Sequence, residues 1–346
     1  WTRELVRALV LRDEALDLQL VEWGRAGPSL PAALLGLDAA RVPPGRRVTR
    51  LPARVLRWLG RGLDDLAGGA DVVHGVRLAG PPVSGAVRCL ALAELPREGP
   101  GRERVLAGLT RVDQVLVFCH AAAQRLEQLY DWPAERVHVV PVGCEHWQRR
   151  PDGPRPPDDA PEVRVLGAPA PARRHELILA AVQRLRRGGL PVRLRCIGRP
   201  PVEPSALTRS LADADSEALV WQDPADDPAE SCLADTVARA SVLVHLADDE
   251  LSAVTPLEAF ACGLPVVLSD LPAFAEALPD EGQRLDNQGL DAALLADALE
   301  RALAERDDAA AARRRQALAA RWSWDAAAAA TVAAWRGMPG TRRPAR

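Results

Sequence analysis

Lysine is absent from this chain of 346 residues, so all 44 of its basic residues are arginines. That absence excludes Schiff-base chemistry on lysine and the lysine of a Walker phosphate-binding loop. No apolar run reaches the ~18 residues that a transmembrane helix needs, and no signal peptide is recognisable. The six cysteines form no C-x-x-C pair, which argues against structural zinc and for a reducing compartment. The sequence therefore predicts a cytoplasmic protein without a bound metal or cofactor.

The composition is that of a globular protein with more than one domain. Hydrophobic residues make up 48% and charged residues 26% of the chain, and 346 residues exceed what one ordinary core holds. Residues 1–150 carry 21 arginines against 17 acidic residues, whereas residues 151–346 carry 23 against 30. We therefore expect the two halves to face different partners and, at a net charge of −3, no nucleic acid among them.

Short apolar runs alternate with amphipathic helical segments in both halves. Val115–Phe118 and Val192–Ile197 are typical of buried strands, and Glu176–Arg187 is typical of a helix. Such alternation predicts an α/β fold of two doubly wound, Rossmann-like domains with parallel sheets, the first strand of the first domain lying upstream of this sequence. A segment with five prolines, Arg149–Pro161, separates the halves. The predicted divisions are 1–148, the linker 149–161, 162–321, and a final helix with its tail, 322–346.

One stretch combines two glutamates with a predicted helix start. Glu250 and Glu258, with seven residues between them, follow an apolar run that ends at Leu246. Thr255 is placed to cap the helix, Pro256 to occupy its first position, and Glu258 to complete a capping box. Because a helix N-terminus presents unpaired N–H groups and a partial positive charge, this position predicts a phosphate-binding site at a strand's carboxyl end.

Each of these residues also has a purely structural explanation. Glu258 needs no ligand if it only caps the helix, and Glu250 directly follows Asp248 and Asp249 in what could be an exposed acidic turn. The pair Arg173-Arg174 could simply begin a solvated helix. Asp213 and Asp215 imitate a metal-binding D-x-D, but they follow a helical run, so we interpret them as a surface helix end.

A basic face accompanies the helical stripe that the spacing predicts over residues 51–66. Two interpretations stay open, a face resting on an anionic membrane surface, at the inner side of the cell membrane, and a solvated helix whose arginines cover the core. The solvated helix is the simpler of the two. The residues of this face are Arg50, Arg54, Arg57, Trp58 and Arg61.

Several motifs, in their order, resemble one enzyme family. Leu257–Val267, LEAFACGLPVV, is similar to the "LEAMACGxPVV" of retaining GT-B glycosyltransferases of family four, glycosyl transferases group 1. Val139–Gly143 resembles the family's "VVPNGV", and Ser323-Trp324 resembles the "FSW" that opens its last helix. The resemblance implies the GT-B architecture, with two domains facing across a cleft and a C-terminal helix crossing back to the first domain.

The resemblance also implies an activity and a set of site residues. It implies transfer of a hexose from a UDP- or GDP-sugar to a glycan or lipid-linked acceptor, with retention of anomeric configuration and without metal, as in bacterial polysaccharide biosynthesis. Glu250 would act at the donor sugar, Glu258 would bind the ribose, and Arg173 with Arg174 would bind the diphosphate. The other donor-binding positions implied are Gly167, Ser252, Ala253, Val254 and Thr255.

The chain departs from the family pattern at some positions. Leu251 and Ala253 stand where the family has glycines, and the expected His-Asp of the first domain is absent, which leaves His74 and His120 as acceptor-side candidates. These departures support a second hypothesis, a catalytically impaired GT-B-like binding or scaffold protein. The chain lacks the cluster of acids and histidines that an epimerase needs. Neither half opens with the G-x-G-x-x-G of a dehydrogenase.

Overall fold

The computed structural model describes residues 2–12, 16–23, 45–49, 53–75, 82–147, 160–198, 219–222 and 230–338. The chain forms two compact units. The first unit comprises Trp1–Gly143 and Ser323–Arg346, and the second unit comprises Cys144–Trp322. Most of the predicted linker, together with Asp213 and Asp215, lies outside the described residues.

The described strands of the first unit form two parallel sheets. In one of them, β1 (Leu20–Trp23) pairs with β2 (Gly45–Thr49). The other has the order β3-β4-β5-β6, and its strands are β3 (Val72–Gly75), β4 (Val87–Ala91), β5 (Gln114–Val117) and β6 (Val137–Val139). Every residue of β5 is buried, as expected for a strand inside a parallel sheet that is covered on both faces.

The described helices that precede the second unit are short. They are α1 (Thr2–Leu11), α2 (Ala53–Trp58), α3 (Leu63–Ala67), α4 (Gly99–Leu109) and α5 (His120–Tyr130). The prediction of one helical stripe over residues 51–66 is wrong, because the helix is interrupted between α2 and α3. Gly60 there has a φ of +63°, and a Cβ on Gly62 would lie 2.3 Å from the backbone nitrogen of Ser84.

The second unit is built on one six-stranded parallel sheet with the order β12-β11-β10-β7-β8-β9. Counted from β7, this is the 3-2-1-4-5-6 order of a doubly wound sheet, and it reverses between β7 and β10. Such a reversal leaves a crevice outside the carboxyl ends of the two central strands. The strands are β7 (Glu162–Leu166), β8 (Arg193–Ile197), β9 (Leu219–Gln222), β10 (Val242–His245), β11 (Val266–Ser269) and β12 (Gln283–Leu285).

Helices cover this sheet and complete the core of the second unit. They are α6 (His175–Arg187), α7 (Glu230–Ala238), α8 (Val254–Ala261), α9 (Pro272–Ala277), α10 (Ala292–Ala304) and α11 (Ala309–Ala319). Short 3-10 segments lie at Glu145–Trp147 and Pro171–Arg173. The apolar faces of α6 and α10 pack against β7, β8 and β10, which accounts for the buried Leu, Ile and Val residues along them.

The last helix belongs to the first unit although it follows the second unit in the chain. α12 (Trp324–Gly337) begins at the predicted Ser-Trp pair, where the Ser323 Oγ accepts the Ala326 N–H at 3.1 Å. Trp324 and Val332 enter the core of the first unit beside Leu5 of α1 and Leu116 of β5. The predicted return of the C-terminal helix to the first domain is confirmed.

Candidate functional site

The helix that carries Glu258 begins earlier than the sequence predicts. α8 starts at Val254, and its N-cap residue, Ala253, forms no side-chain cap. The predicted capping box on Thr255 is therefore wrong, because Thr255 is itself helical and Pro256 occupies the third position. Proline has no N–H, so it fits the first turn of a helix, where N–H groups lack helical acceptors. The N–H groups of Val254 and Thr255 remain at the helix start, available to an anion.

Glu258 lies within α8 and is largely withdrawn from solvent, with 13% of its side chain exposed. Its carboxylate oxygen is 3.8 Å from Nε2 of His146, which lies in the segment Glu145–Trp147. Desolvation by burial raises the pKa of Glu258 to about 8, so its carboxyl group is protonated near neutral pH. In either protonation state the carboxyl group offers oxygen acceptors to hydroxyl donors.

The segment Glu145–Trp147 is fixed against the C-terminal end of α8. Cys262, which follows the helix, donates from Sγ to the carbonyl of Trp147 at 3.3 Å. Gly263 then takes a φ of +78° and ends the helix, and a Cβ there would lie 3.2 Å from the Cβ of Ala312. The helix is thus held at its C-terminal end, while its N-terminal end faces the carboxyl edge of the sheet.

Glu250 lies in the turn between β10 and α8, with 27% of its side chain exposed. One of its carboxylate oxygens is 3.4 Å from Nε2 of His245, the last residue of β10. The imidazole is buried, and its ring meets the ring of Phe274 edge-on at 5.6 Å. A buried ring with a fixed neighbour gives the Glu250 carboxylate a defined position.

The residues that replace the family's glycines fit this turn without backbone strain. Leu251 and Ala253 are both buried. Among the described residues, the non-glycine positions with positive φ are Asp131 and Arg174, so neither replacement forces a left-handed backbone. Ser252 between them is partly exposed. The turn from Glu250 to α8 is therefore compatible with the side chains that occupy it.

The two predicted diphosphate arginines have different surroundings. Arg173 folds back over Gly167, which follows β7 with a φ of +100°, and Arg173 Nη1 donates to the carbonyl of Leu166 at 3.2 Å. A Cβ on Gly167 would lie 3.2 Å from the guanidinium carbon of Arg173. Arg174 instead forms an ion pair with Asp248 at 2.8 Å and donates to the Asn287 carbonyl at 3.1 Å. Arg173 thus lies at the end of β7, and Arg174 joins that end to the turn after β10.

A polar network that the sequence analysis did not predict supports the same turn. Ser269 Oγ accepts the Ala247 N–H at 3.0 Å and donates to Asn287 Oδ1 at 2.8 Å. Asn287 Nδ2 in turn donates to the Ala247 carbonyl at 2.8 Å. Ser269 ends β11 and Asn287 follows β12, so their meeting depends on strand order, which no local pattern reveals. His245, by contrast, lies only five positions before Glu250, so the sequence itself places these two residues near each other.

Both acceptor-side candidates belong to the first unit. Burial lowers the pKa of His74 to about 4, and its ring meets that of Trp335 edge-on at 5.6 Å. His120 is exposed and occupies the first position of α5, after Cys119 at the N-cap. His74 therefore resembles a core residue of the first unit, whereas His120 presents its ring at the surface.

Trp58, at the end of α2, is 84% exposed, and Leu59 beside it is 49% exposed. Arg61 follows, with 57% of its side chain exposed and its Nε 3.9 Å from Asp65 Oδ2. Arg50 and the side chains of Arg54 and Arg57 lie outside the described residues. Two large apolar side chains and an arginine are thus exposed together at the end of α2.

No group of three or more His, Cys, Asp or Glu side chains in the described part of the chain could hold a metal ion. No helix among the described residues has both the length and the apolar character needed to cross a membrane.

Comparisons with known proteins agree with the sequence motifs. Residues 160–305 match the family model described as glycosyl transferases group 1. Two curated relatives, both D-inositol 3-phosphate glycosyltransferases, come from Frankia alni and Nocardia farcinica. They are 32% and 30% identical over 62% and 64% of this chain, and over 56% and 52% of their own lengths. The chain thus spans about half the length of these relatives.

Solved structures share the fold at low sequence identity. Sucrose-phosphate synthase from Thermosynechococcus elongatus has a TM-score of 0.69 at 16% identity, covering 97% of this chain and 92% of its own. WaaG, a glycosyltransferase involved in lipopolysaccharide biosynthesis, has a TM-score of 0.66 at 15% identity, covering 98% and 95%. An S. aureus TarM mutant in complex with UDP has a TM-score of 0.57 at 15% identity, covering 73% and 51%. The chain therefore has the α/β fold of GT-B glycosyltransferases, and its residues 160–305 match the family model of glycosyl transferases group 1.

Proposed function

We propose that this protein transfers a hexose from a UDP- or GDP-sugar to a glycan or lipid-linked acceptor, with retention of anomeric configuration. The observation that carries the proposal is the convergence of Glu250, Arg173 and the N-terminus of α8 at the reversal point between β7 and β10. Ligands of doubly wound sheets bind outside the carboxyl ends of the strands at such a point. This convergence lies inside the segment that matches glycosyl transferases group 1.

The donor would lie along the carboxyl edge of this sheet. Glu258 would bind the ribose hydroxyls, and the N–H groups of Val254 and Thr255 would donate hydrogen bonds to the β-phosphate. Arg173 would add a positive charge where the leaving diphosphate gains negative charge. Since arginine and backbone amides supply this countercharge, the proposed reaction needs no metal ion.

The reaction would break the bond between the anomeric carbon and the β-phosphate oxygen. The acceptor oxygen would form its bond on the same face of the sugar, and its proton would pass to the departing diphosphate. Glu250 would act beside the anomeric carbon, where the transition state develops positive charge. On the acceptor side we propose His120, because its ring is exposed, in preference to the half-buried His74.

Calorimetry with a panel of UDP- and GDP-sugars tests donor binding directly. We expect one nucleotide sugar to bind the wild-type chain, and Glu258→Gln to weaken that binding by about tenfold through lost ribose contacts. Glu300→Gln, which changes an exposed glutamate on α10, is the matched control and should bind like the wild type. A panel in which no donor binds the intact protein would refute the proposal.

Turnover then separates an enzyme from a binding protein. Release of nucleoside diphosphate should require an acceptor, and the acceptor panel includes D-inositol 3-phosphate because both curated relatives carry that name. Glu250→Ala should abolish release while the donor dissociation constant stays within about twofold of the wild type. Donor binding without any turnover would instead favour a catalytically impaired scaffold.

We also propose peripheral contact with the inner face of the cell membrane through Trp58, Leu59 and Arg61. An exposed indole beside a leucine and an arginine suits the interfacial region of an anionic bilayer. Co-sedimentation with phosphatidylglycerol vesicles should fall in Trp58→Ser, while phosphatidylcholine vesicles bind weakly throughout. The control is Leu294→Ser, which removes an exposed leucine from the second unit. Equal sedimentation of both variants and the wild type would contradict this contact.

A further inference from the structure

The turn Ala247–Glu250 joins β10 to the segment that leads into α8, and it carries three consecutive carboxylates. Asp248, Asp249 and Glu250 follow one another, and more than half of the Asp248 side chain is exposed. Adjacent like charges repel, and an exposed turn without glycine or proline has no local feature that holds it in one place. A defined position for Glu250 must therefore come from contacts outside the turn.

Those contacts come from both flanks of the reversal point. His245 reaches Glu250 at 3.4 Å from the end of β10. Arg174 reaches Asp248 through Nη2 at 2.8 Å and Nε at 3.2 Å from the start of α6. Between them, the side chains of Ser269 and Asn287 bind the N–H and the carbonyl of Ala247. Both ends of the turn are thus contacted by side chains that lie outside it.

The backbone of Arg174 indicates that this arrangement is specific. Arg174 has a φ of +51°, a conformation that costs a residue with a side chain roughly 1 kcal/mol. Its pair with Asp248 is too exposed to offset much of that cost through stability alone. The third contact, from Arg174 Nη1 to the Asn287 carbonyl, connects the guanidinium to the network under Ala247.

We propose that His245 and Arg174 are positioning residues, which hold the Ala247–Glu250 turn so that the Glu250 carboxylate faces the donor sugar. This inference rests on the proposed sugar transfer. It assigns Arg174 to the turn, in place of the diphosphate contact that the family resemblance implies, and leaves the diphosphate to Arg173. His245 acts through Glu250, and Arg174 acts through Asp248.

The first test separates position from binding. In His245→Leu the turnover number for sugar transfer should fall by about tenfold, because a displaced Glu250 no longer meets the sugar. The donor dissociation constant should change by less than about twofold, since Glu258 and the start of α8 are untouched. His245→Gln keeps an N–H donor and should recover most of the turnover. A parallel loss of affinity and turnover in both variants would overturn the assignment.

The second test concerns the ion pair. Arg174→Met and Asp248→Asn should each lower turnover by about threefold, and the double variant should be no worse than either single variant. Arg301→Met, which removes a surface arginine that contacts Gln283, is the control and should match the wild type. Fully additive losses, or a loss of donor affinity in Arg174→Met comparable to that in Arg173→Met, would contradict the proposal.

A third measurement does not depend on activity. Amide hydrogen exchange over residues 247–253 should be faster in His245→Leu and in Arg174→Met than in the wild type, and unchanged in Arg301→Met. If the wild type transfers no sugar, the proposed function fails, yet faster exchange would still show that these side chains hold the turn. Unchanged exchange in both variants would overturn the positioning role whether or not the wild type is active.

Discussion

Two carboxyl groups, one in each unit, are largely shielded from solvent, and their surroundings shift their pKa values in opposite directions. Asp64 of the first unit accepts backbone N–H groups from Ser84, Gly85 and Ala86 at 2.9, 2.7 and 2.9 Å. Desolvation alone would raise the pKa of Asp64, but these hydrogen bonds outweigh it and lower that pKa. In Glu258 of the second unit desolvation prevails, and the pKa is raised. The first carboxylate organises the loop at Ser84, whereas for the second we propose a contact with the ribose of the donor.

The main sheets of the two units also differ in strand order. In the described part of the first unit, the four-stranded sheet keeps its strands in chain order, β3-β4-β5-β6, without a reversal. The second unit reverses between β7 and β10, and Arg174 after β7 there pairs with Asp248 after β10. Residues that follow the two central strands of such a sheet lie where the ligands of doubly wound folds bind.

The largest effect should come from a glycine that the second unit packs tightly. A Cβ on Gly198 would lie 2.5 Å from the carbonyl carbon of Gly167, a backbone atom that cannot move aside alone. We expect Gly198→Ala to lower the free energy of unfolding by at least about 3 kcal/mol in denaturant titrations. Gly337→Ala, where a Cβ meets nothing within 4 Å, is the control in the first unit. Equal stability of the two variants would mean that Gly167 and Gly198 do not pack closely.

Acid should destabilise the second unit through a buried histidine. Burial, and secondarily Arg173, lower the pKa of His175 from 6.5 to about 4. The unfolded state then binds its proton first, so the free energy of unfolding falls by up to about 3 kcal/mol as pH drops from 6.5 to 4. His175→Phe should lose this part of the pH dependence in denaturant titrations at several pH values. An unchanged pH profile would show that His175 is protonated in the native protein.

Asp64→Asn tests the structural carboxylate of the first unit. An amide oxygen replaces only part of the charged acceptor, so we expect a loss of about 2 kcal/mol in the free energy of unfolding. Donor affinity should stay at the wild-type value, because Asp64 belongs to the loop at Ser84 and not to the site at β10. Loss of donor binding in a folded Asp64→Asn variant would contradict the division of roles.

Glu258→Gln should shift stability in the opposite direction. The folded-state pKa of Glu258, about 8, exceeds its ordinary value of 4.5, so wild-type stability falls as pH rises between these values. The neutral glutamine avoids that loss. We expect the variant to be more stable than the wild type by about 1 kcal/mol at pH 8.5 and equal to it near pH 5, in paired denaturant titrations. A variant less stable at pH 8.5 would place a stabilising partner on the charged carboxylate.

Much of the fold could be predicted because it depends on local patterns. Apolar runs placed β5 and β8, and Ser323 with Trp324 marked the start of the last helix. The start of α8 was misplaced because Thr255 and Pro256 fit two registers of a helix N-terminus, and only packing selects one. The helix over residues 51–66 failed because Gly60 takes a left-handed conformation and Gly62 packs against the backbone of Ser84.

The site was predictable only where its residues are close in sequence. Glu250 and Glu258 flank one predicted helix start, whereas Arg173 was assigned only through the family resemblance. The pairing of Arg174 with Asp248 spans 74 positions and depends on which strands are neighbours in the sheet. No spacing in the sequence contains that information, so Arg174 was assigned to the diphosphate.

The position of α12 has a consequence for how the protein is made. Trp324 and Val332 complete a core whose other members include Leu5 and Leu116, so the core of the first unit stays incomplete until α12 leaves the ribosome. The described elements of the second unit are all synthesised before that point. During translation the later unit can therefore reach its native packing first, and the earlier one waits with part of its apolar surface uncovered.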